Sequence, residues 1–304
     1  MKLIHFQGLN CYHDCMITLA NHAGIQYIQS FSRLWSEWEL CFDPICHSFL
    51  TKRMPYALEA MGMKLFSPCV SREAREVSWS GLPAGTFTLI GMDTFLIPWT
   101  PLYQLQHGPH YFIAQKGMTD PQVCFDPTYG VCGQTCSTLQ LCSDAYALIP
   151  VEITSPTSLP LSASATLTDQ AHEVLVGHPK MLHSFLEMAE HWIQGGEETA
   201  FFPAKFTDAL LSGRYLYRHF LTEEYGHLDK APFFQSRGYF SEWQAVKNGF
   251  YKAALLHRRQ TVFEEACHRF SALLDQEISF AEEVLLEQQV LQRKSKPTAP
   301  PWQN

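Results

Sequence analysis

The sequence lacks any long hydrophobic segment. None of its 304 residues falls in an apolar run that approaches the ~18 residues needed to cross a membrane. The N-terminus carries a lysine but no long apolar stretch and no small-residue cleavage site, so no secretory signal is expected. These absences predict a cytoplasmic protein that has no membrane as a partner.

Positive charge is scarce as well. The chain has 22 lysines and arginines against 30 aspartates and glutamates, for a formal net charge of -8 at pH 7. A non-specific nucleic-acid binder is expected to be basic, so nucleic acid is not expected as a partner. Hydrophobic residues make up 46% of the chain and charged residues 17%, a balance that predicts a folded protein with a substantial core.

Paired C-x-x-C spacing is also missing, although the chain has ten cysteines. Structural zinc sites typically use such pairs, so no metal site is predicted. A long chain in a reducing compartment does not need disulfides, and most of its cysteines are expected to be small buried apolar side chains. The nearest approaches to a zinc site are two looser clusters: Cys132, Cys136 and Cys142, and Cys41, Cys46 and His47.

The two halves of the chain differ in their periodicity. Residues 1–153 mix helix and strand patterns and predict an α+β domain, whereas residues 167–294 are helical in pattern. Residues 154–166 (TSPTSLPLSASAT) have the composition of a linker, and residues 295–304 form a proline-rich tail that is expected to be disordered. The predicted helices are 11–23, 55–63, 168–193, 203–223, 238–259 and 260–292. The predicted strands are 85–93, 110–117, 122–127 and 144–153.

The first predicted helix carries a candidate nucleophile. In "NCYHDC", Cys11 stands at the helix start and Cys15 stands one turn inside it. A helix N-terminus lowers the pKa of a thiol through its dipole and its free N–H groups, which favours Cys11 over Cys15. The backbone N–H of Cys11 also lies where an oxyanion hole needs a donor, and either Gln7 or Asn10 could supply the second one.

The stretch "HGPHYFIAQKGMTDPQVCFDPTYG" supplies a candidate base and its orienting group. His110 begins one predicted strand and Asp126 ends the next, with a short turn between the strands. A hairpin brings the start of its first strand beside the end of its second, so the two side chains can meet. His107, which precedes a Gly-Pro break, is the rival base. Cys, His and Asp in this order predict a papain-like catalytic triad.

The chain resembles the family named for the N-terminal domain of butirosin biosynthesis protein H, which has a papain-like cysteine-peptidase fold. "NCYHDCMITLANHAGI" is similar to the family's opening helix, with Gly24 thirteen residues after Cys11. "SFSRLWSEWELCFD" is similar to its "SE" segment, here Ser36 and Glu37. "GMDTFLIPWTPLYQLQHGPHYFIAQKG" is similar to its Asp and His strands. The likeness covers about residues 5–150.

That resemblance implies acyl transfer rather than proteolysis. Cys11 would attack a thioester on the phosphopantetheine of an acyl or peptidyl carrier protein in specialised-metabolite biosynthesis. The acyl group would then pass to a small-molecule amine or hydroxyl acceptor, with no cofactor bound by the protein itself. His110 would move the protons and Asp126 would hold its tautomer. The resemblance and the nearby aromatic residues together suggest a substrate pocket formed by Asp93, Trp99, Tyr103, His107 and Tyr111.

Two other functions use the same residues. A hydrolase of this fold (a peptidase, amidase or thioesterase) would differ only in its acceptor, and a non-catalytic module could bind a carrier protein. Carrier proteins are acidic, so a basic surface is the expected dock. The best candidate is "KNGFYKAALLHRRQ" (247–260), whose basic residues are Lys247, Lys252, Arg258 and Arg259.

Overall fold

The computed structural model describes residues 1–45, 47–154, 166–225, 232–256 and 260–295. Within these ranges the protein is α+β, and every strand precedes residue 154, while four long helices follow it. The predicted α+β class and the predicted helical second half are therefore confirmed. Over the same ranges, no helix has the length and apolar character needed to span a membrane.

The described ranges contain eight α-helices and eight strands, and the first four α-helices are interspersed among the strands. The helices are α1 (Cys11–His22), α2 (Arg53–Ala60), α3 (Arg72–Gly81), α4 (Thr138–Ser143), α5 (Leu167–Gln194), α6 (Phe202–Tyr225), α7 (Arg237–Leu255) and α8 (Gln260–Ser295). The strands are β1 (Leu40–Asp43), β2 (Ser48–Thr51), β3 (Met63–Leu65), β4 (Phe87–Asp93), β5 (Pro109–Gln115), β6 (Gln122–Asp126), β7 (Val131–Cys136) and β8 (Ala145–Ile153).

Six strands form one antiparallel sheet in the order β3-β8-β4-β5-β6-β7, and β1 pairs with β2 in a separate hairpin. α1 packs against β5. One apolar cluster on this sheet includes Ile90 and Phe112 from neighbouring central strands, with Trp79 from α3 and Leu141 from α4. Four strand termini lie at the same end of the sheet: the last residues of β4 and β6 and the first residues of β5 and β8. The candidate site lies at this end of the sheet.

The four predicted strands and the four predicted long helices are present, with ends that differ by a few residues. α2 begins at Arg53 and not at Pro55, which is its third residue. A proline is tolerated throughout the first turn of a helix, where the N–H groups have no acceptor within the helix, so it need not mark the first residue. The predicted 238–259 helix ends at Leu255. Short elements were not predicted: β1, β2, β3, β7, α3 and α4.

The predicted linker has defined ends. Thr154 donates its N–H to the carbonyl of Gly62 at 2.8 Å and so still belongs to the sheet edge. Thr166 is the N-cap of α5, where it forms a capping box with Asp169. The residues between them, 155–165, lie outside the described part of the chain. So does the predicted tail from 296 onward, whereas Ser295 is the last residue of α8.

The described residues divide into two compact units that differ from the predicted division in two segments. The first unit takes residues 1–34 and 40–154 and, from the helical half, 212–225; the second takes 35–39 together with the remaining helices. In the second unit, the "SE" residue Ser36 donates its hydroxyl to Glu173 at 2.6 Å and its N–H to Gln170 at 3.1 Å. Buried polar contacts of this kind attach the segment to α5.

Candidate active site

Cys11 is the first residue of α1. Asn10 is the N-cap, and its side-chain oxygen accepts the backbone N–H of His13 at 2.9 Å. N–H groups of a first turn have no acceptor within their helix, and the helix dipole adds partial positive charge there. The partly buried sulfur of Cys11 therefore lies where negative charge is stabilised.

Cys15, one turn further along α1, has different surroundings. It is completely buried, and burial raises its pKa well above the usual value. The negative charges of Asp126 and Asp14 raise it further. A thiol that stays protonated is a poor nucleophile, so the surroundings favour Cys11, as the helix position indicated.

His110 and Asp126 are in contact, as the hairpin geometry predicted. His110 is the second residue of β5 and Asp126 is the last residue of β6. The imidazole Nε2 lies 2.8 Å from the carboxylate Oδ2, and both side chains are buried. Because Nε2 is engaged by Asp126, the other ring nitrogen, Nδ1, is the one that can bond the thiol of Cys11.

The electrostatics of His110 favour the imidazolium form. Burial alone would lower its pKa, but hydrogen bonds to Asp126 and Cys11, together with the charges of both groups, outweigh burial. The pKa of His110 rises from 6.5 to about 9. An imidazolium beside a thiol favours the thiolate, which is the reactive form of cysteine.

Two further donors hold the carboxylate of Asp126. Trp99 donates its indole N–H to Oδ2 at 3.0 Å, and Tyr129 donates its backbone N–H to Oδ1 at 3.3 Å. The ring of Trp99 also packs edge-to-face on Phe112 at 5.1 Å. Trp99, predicted as a wall of the substrate pocket, is thus placed behind the carboxylate as one of its hydrogen-bond donors.

Tyr146 of β8 holds the backbone of His110. Its hydroxyl accepts the N–H of His110 at 2.8 Å and donates to the carbonyl of Met92, also at 2.8 Å. The Tyr146 ring can reach this position because it passes over Gly91, where a Cβ would lie 2.9 Å from the ring. The sequence analysis missed Tyr146, although a glycine inside a strand pattern often marks such a close approach.

The rival base, His107, has a different partner. Its Nδ1 lies 2.7 Å from Asp93 Oδ2, its ring stacks on Phe95 at 4.4 Å, and its side chain is 74% exposed. Asp93 also caps the turn that follows β4 by accepting the N–H of Phe95, and it accepts the N–H of Gly108. Of the two histidines, His110 is the one that hydrogen-bonds Cys11.

The remaining predicted pocket residues, Tyr111 and Tyr103, differ in burial. Tyr111 is completely buried and packs edge-to-face on Tyr12 at 5.1 Å, between β5 and α1. Tyr103 is 38% exposed and accepts a hydrogen bond from Gln104. The five predicted pocket residues thus have different surroundings: Tyr111 is in the core, Trp99 bonds the Asp126 carboxylate, and the other three are at least partly exposed.

The two candidate oxyanion donors differ in whether their donating group is used. The carbonyl oxygen of Asn10 accepts the cap bond of α1, and that bond does not involve the amide nitrogen, which is the group that could donate. The side chain of Gln7 hydrogen-bonds the hydroxyl of Tyr215 on α6. Gln7 borders a cleft of about 270 Å³, which we call the Gln7 cleft. It is lined by Phe6, Gln7, Tyr215, Arg218, His219 and Thr222.

Across the described residues, no set of three or more His, Cys, Asp or Glu side chains could hold an ion. Four of the nine described cysteines are buried, fewer than the majority that the sequence predicted, and Cys41 and Cys132 are exposed. Cys46 lies outside the described residues.

Comparisons with known proteins add no relative: no family model matches the chain, and no curated protein matches it. The case for a function therefore depends on the geometry of the Cys11, His110 and Asp126 side chains.

Proposed function

We propose that the protein is a cysteine-dependent acyltransferase with a papain-like domain and a Cys11–His110–Asp126 triad. The observation that carries the proposal is a connected set of contacts: the partly buried Cys11 hydrogen-bonds His110, and the buried pair His110 and Asp126 is 2.8 Å apart. Nucleophile, base and orienting acid in mutual contact at a helix start form the constellation that acyl transfer requires.

The proposed reaction has two halves. The Cys11 thiolate attacks the carbonyl carbon of an acyl thioester on the phosphopantetheine of a carrier protein, and a new carbon–sulfur bond forms. The pantetheine sulfur leaves and takes the proton of His110. A small-molecule amine or hydroxyl then attacks the acyl-enzyme, His110 accepts its proton, and Cys11 leaves as thiolate. No cofactor bound to the protein is needed in either half.

The donor is proposed to be an acyl or peptidyl carrier protein of specialised-metabolite biosynthesis, in the cytoplasm. The predicted basic dock receives limited support. Lys247 is paired with Asp208 at 2.9 Å and its side chain is 19% exposed, whereas Lys252 is exposed. Arg258 and Arg259 lie outside the described residues. The dock therefore stays a hypothesis that the Lys247 contact weakens.

Selective alkylation tests the reactive state of Cys11. With iodoacetamide at pH 6–7, Cys11 should react faster than the exposed thiols Cys41 and Cys132, because the adjacent imidazolium favours its thiolate. Peptide mass spectrometry measures all three rates in one sample. The advantage should disappear as the pH rises through about 9, where His110 loses its proton, and in His110→Gln at every pH.

The acyl-enzyme is tested by intact mass after mixing with acyl-pantetheine thioesters. Wild type and Cys41→Ala should both gain an adduct that survives denaturation, and Cys11→Ala should not. If Cys11→Ala forms the same adduct, the nucleophile is misassigned. Product analysis with and without a candidate amine separates the transferase from a hydrolase, because free acid formed at the same rate in both samples would support the hydrolase.

A further inference from the structure

Asp14 is a fully buried carboxylate that the proposed chemistry does not use. It lies three residues after Cys11 on α1, so both side chains occupy the same face of the helix. An aspartate that served only the helix dipole could stay in solvent and keep its hydration. Complete burial of Asp14 therefore calls for a role that depends on its specific partners.

Two side chains, one nearby in sequence and one distant, satisfy the carboxylate of Asp14. Thr128 donates its hydroxyl to Asp14 Oδ2 at 2.6 Å, and the imidazole Nδ1 of His5 lies 2.9 Å from the same oxygen. Burial raises the pKa of Asp14, while the hydrogen bonds to Thr128 and His5 oppose that change. Breaking one of these bonds would leave a buried carboxylate short of a hydrogen-bond donor. We call the hydrogen bond between Asp14 and Thr128 the tie.

The tie ends in the turn that supports the triad. Thr128 belongs to the turn between β6 and β7, directly after Asp126 and Pro127. The next residue, Tyr129, donates its N–H to Asp126 and places its ring 5.0 Å from the imidazole of His110. A displacement of this turn would therefore move both the carboxylate and the ring that borders His110.

We infer that Asp14 is a positioning residue, which ties the helix carrying Cys11 to the turn that orients Asp126 and His110. The purpose of this tie rests on the proposed function, since a nucleophile and its base on separate elements must keep hydrogen-bond distance for catalysis. The tie itself rests on the contacts of Asp14 and Thr128 alone. It joins residues 114 positions apart in the chain.

Thr128 offers a substitution series that removes the tie without removing a charge. Thr128→Val deletes the hydroxyl at constant shape, and Thr128→Ser restores it. Thr18→Val is the matched control: Thr18 is also completely buried on α1, and its hydroxyl bonds the backbone of Ile4. Each variant is first shown to be folded by urea denaturation.

The decisive readout is the NMR titration of His110, assigned with His110→Gln, because it does not depend on acyl transfer. In Thr128→Val the midpoint of His110 should fall by about one pH unit, from about 9 toward 6.5. The reason is that the carboxylate of Asp126 would no longer be held in line with the His110 imidazole. The alkylation advantage of Cys11 over Cys41 should fall about tenfold. Thr128→Ser should restore both values, and Thr18→Val should change neither.

An unchanged His110 midpoint in folded Thr128→Val would overturn the inference, as would an equal change in Thr18→Val. These outcomes say nothing against acyl transfer, which the adduct experiment tests separately. Conversely, a shifted midpoint in a protein that forms no acyl adduct would support the tie and refute the proposed function.

Discussion

At the scale of single residues, the surroundings of chemically similar side chains decide which of them can react. Cys11 and Cys15 share a helix face, yet only Cys11 has a hydrogen-bonded imidazole, while Cys15 is buried and its pKa is raised. His110 and His13 show the same contrast. Partners raise the pKa of His110 to about 9, whereas burial lowers that of His13 to about 4.

His13 is expected to make the protein sensitive to acid. Both its ring nitrogens lack a hydrogen-bond partner among the described residues, so the folded state holds it neutral. The unfolded chain binds the proton first, near pH 6.5, and stability is therefore lost as the pH falls from 6.5 toward about 4. At pH 5 the loss should be about 2 kcal/mol. Urea unfolding of wild type at pH 7 and pH 5 measures it.

The control for this prediction is His13→Phe, which cannot titrate. Its loss of stability between pH 7 and pH 5 should be smaller than that of wild type by about the same 2 kcal/mol. Equal losses in the two proteins would show that other groups cause the acid sensitivity.

At the scale of elements, a neighbouring strand fixes the position of the first residues of β5. The hydroxyl of Tyr146 lies between Met92 and His110, two residues that are paired in the β4–β5 register. β8 thus stabilises the position of the candidate base from across β4. The β4–β8 register shifts between Gly91 and Met92, at the point where the Tyr146 ring crosses the strand.

Tyr146→Phe should destabilise the protein by about 1–3 kcal/mol, because the N–H of His110 and the carbonyl of Met92 lose a buried partner. The alkylation advantage of Cys11 should fall as well, since His110 is less firmly held. Urea denaturation and the alkylation assay measure the two effects. Tyr103→Phe, which removes a partly exposed hydroxyl, should change neither by more than about 0.5 kcal/mol or twofold. Similar effects in both variants would argue against the Tyr146 contact.

At the scale of the whole molecule, the first unit is completed by a segment from the second half of the sequence. Residues 212–225 of α6 belong to it, and the segment before α1 packs closely against them. A Cβ on Gly8 would lie 2.9 Å from the Cβ of Tyr215 and 3.0 Å from the carbonyl oxygen of Ser212. The Gln7 cleft forms along the same line of contact.

Gly8→Ala should therefore be more destabilising than Gly24→Ala. Both glycines have positive φ, +102° and +76°, which costs an alanine about 1–2 kcal/mol. Only at Gly8 would the new methyl group also meet α6, because the space around Gly24 is open. Urea denaturation of the two variants measures the difference. Equal losses would show that α6 does not pack on this segment as described.

The sequence by itself determined the features that depend on neighbouring residues. Periodicity and capping placed α1 and the long helices, and a tight turn predicted the contact between His110 and Asp126, sixteen residues apart. The position of Cys11 at a helix start also follows from local sequence. These features need only short-range geometry, so their residue spacing is enough to reveal them.

Only the tertiary structure decided which distant groups support the site. Asp14 meets Thr128, and the hydroxyl of Tyr146 meets the backbone of His110, through contacts between separate elements. The same holds for the close approach of Gly8 to Tyr215. These contacts depend on how the whole sheet and its helices assemble. The spacing of residues along the chain therefore cannot reveal them.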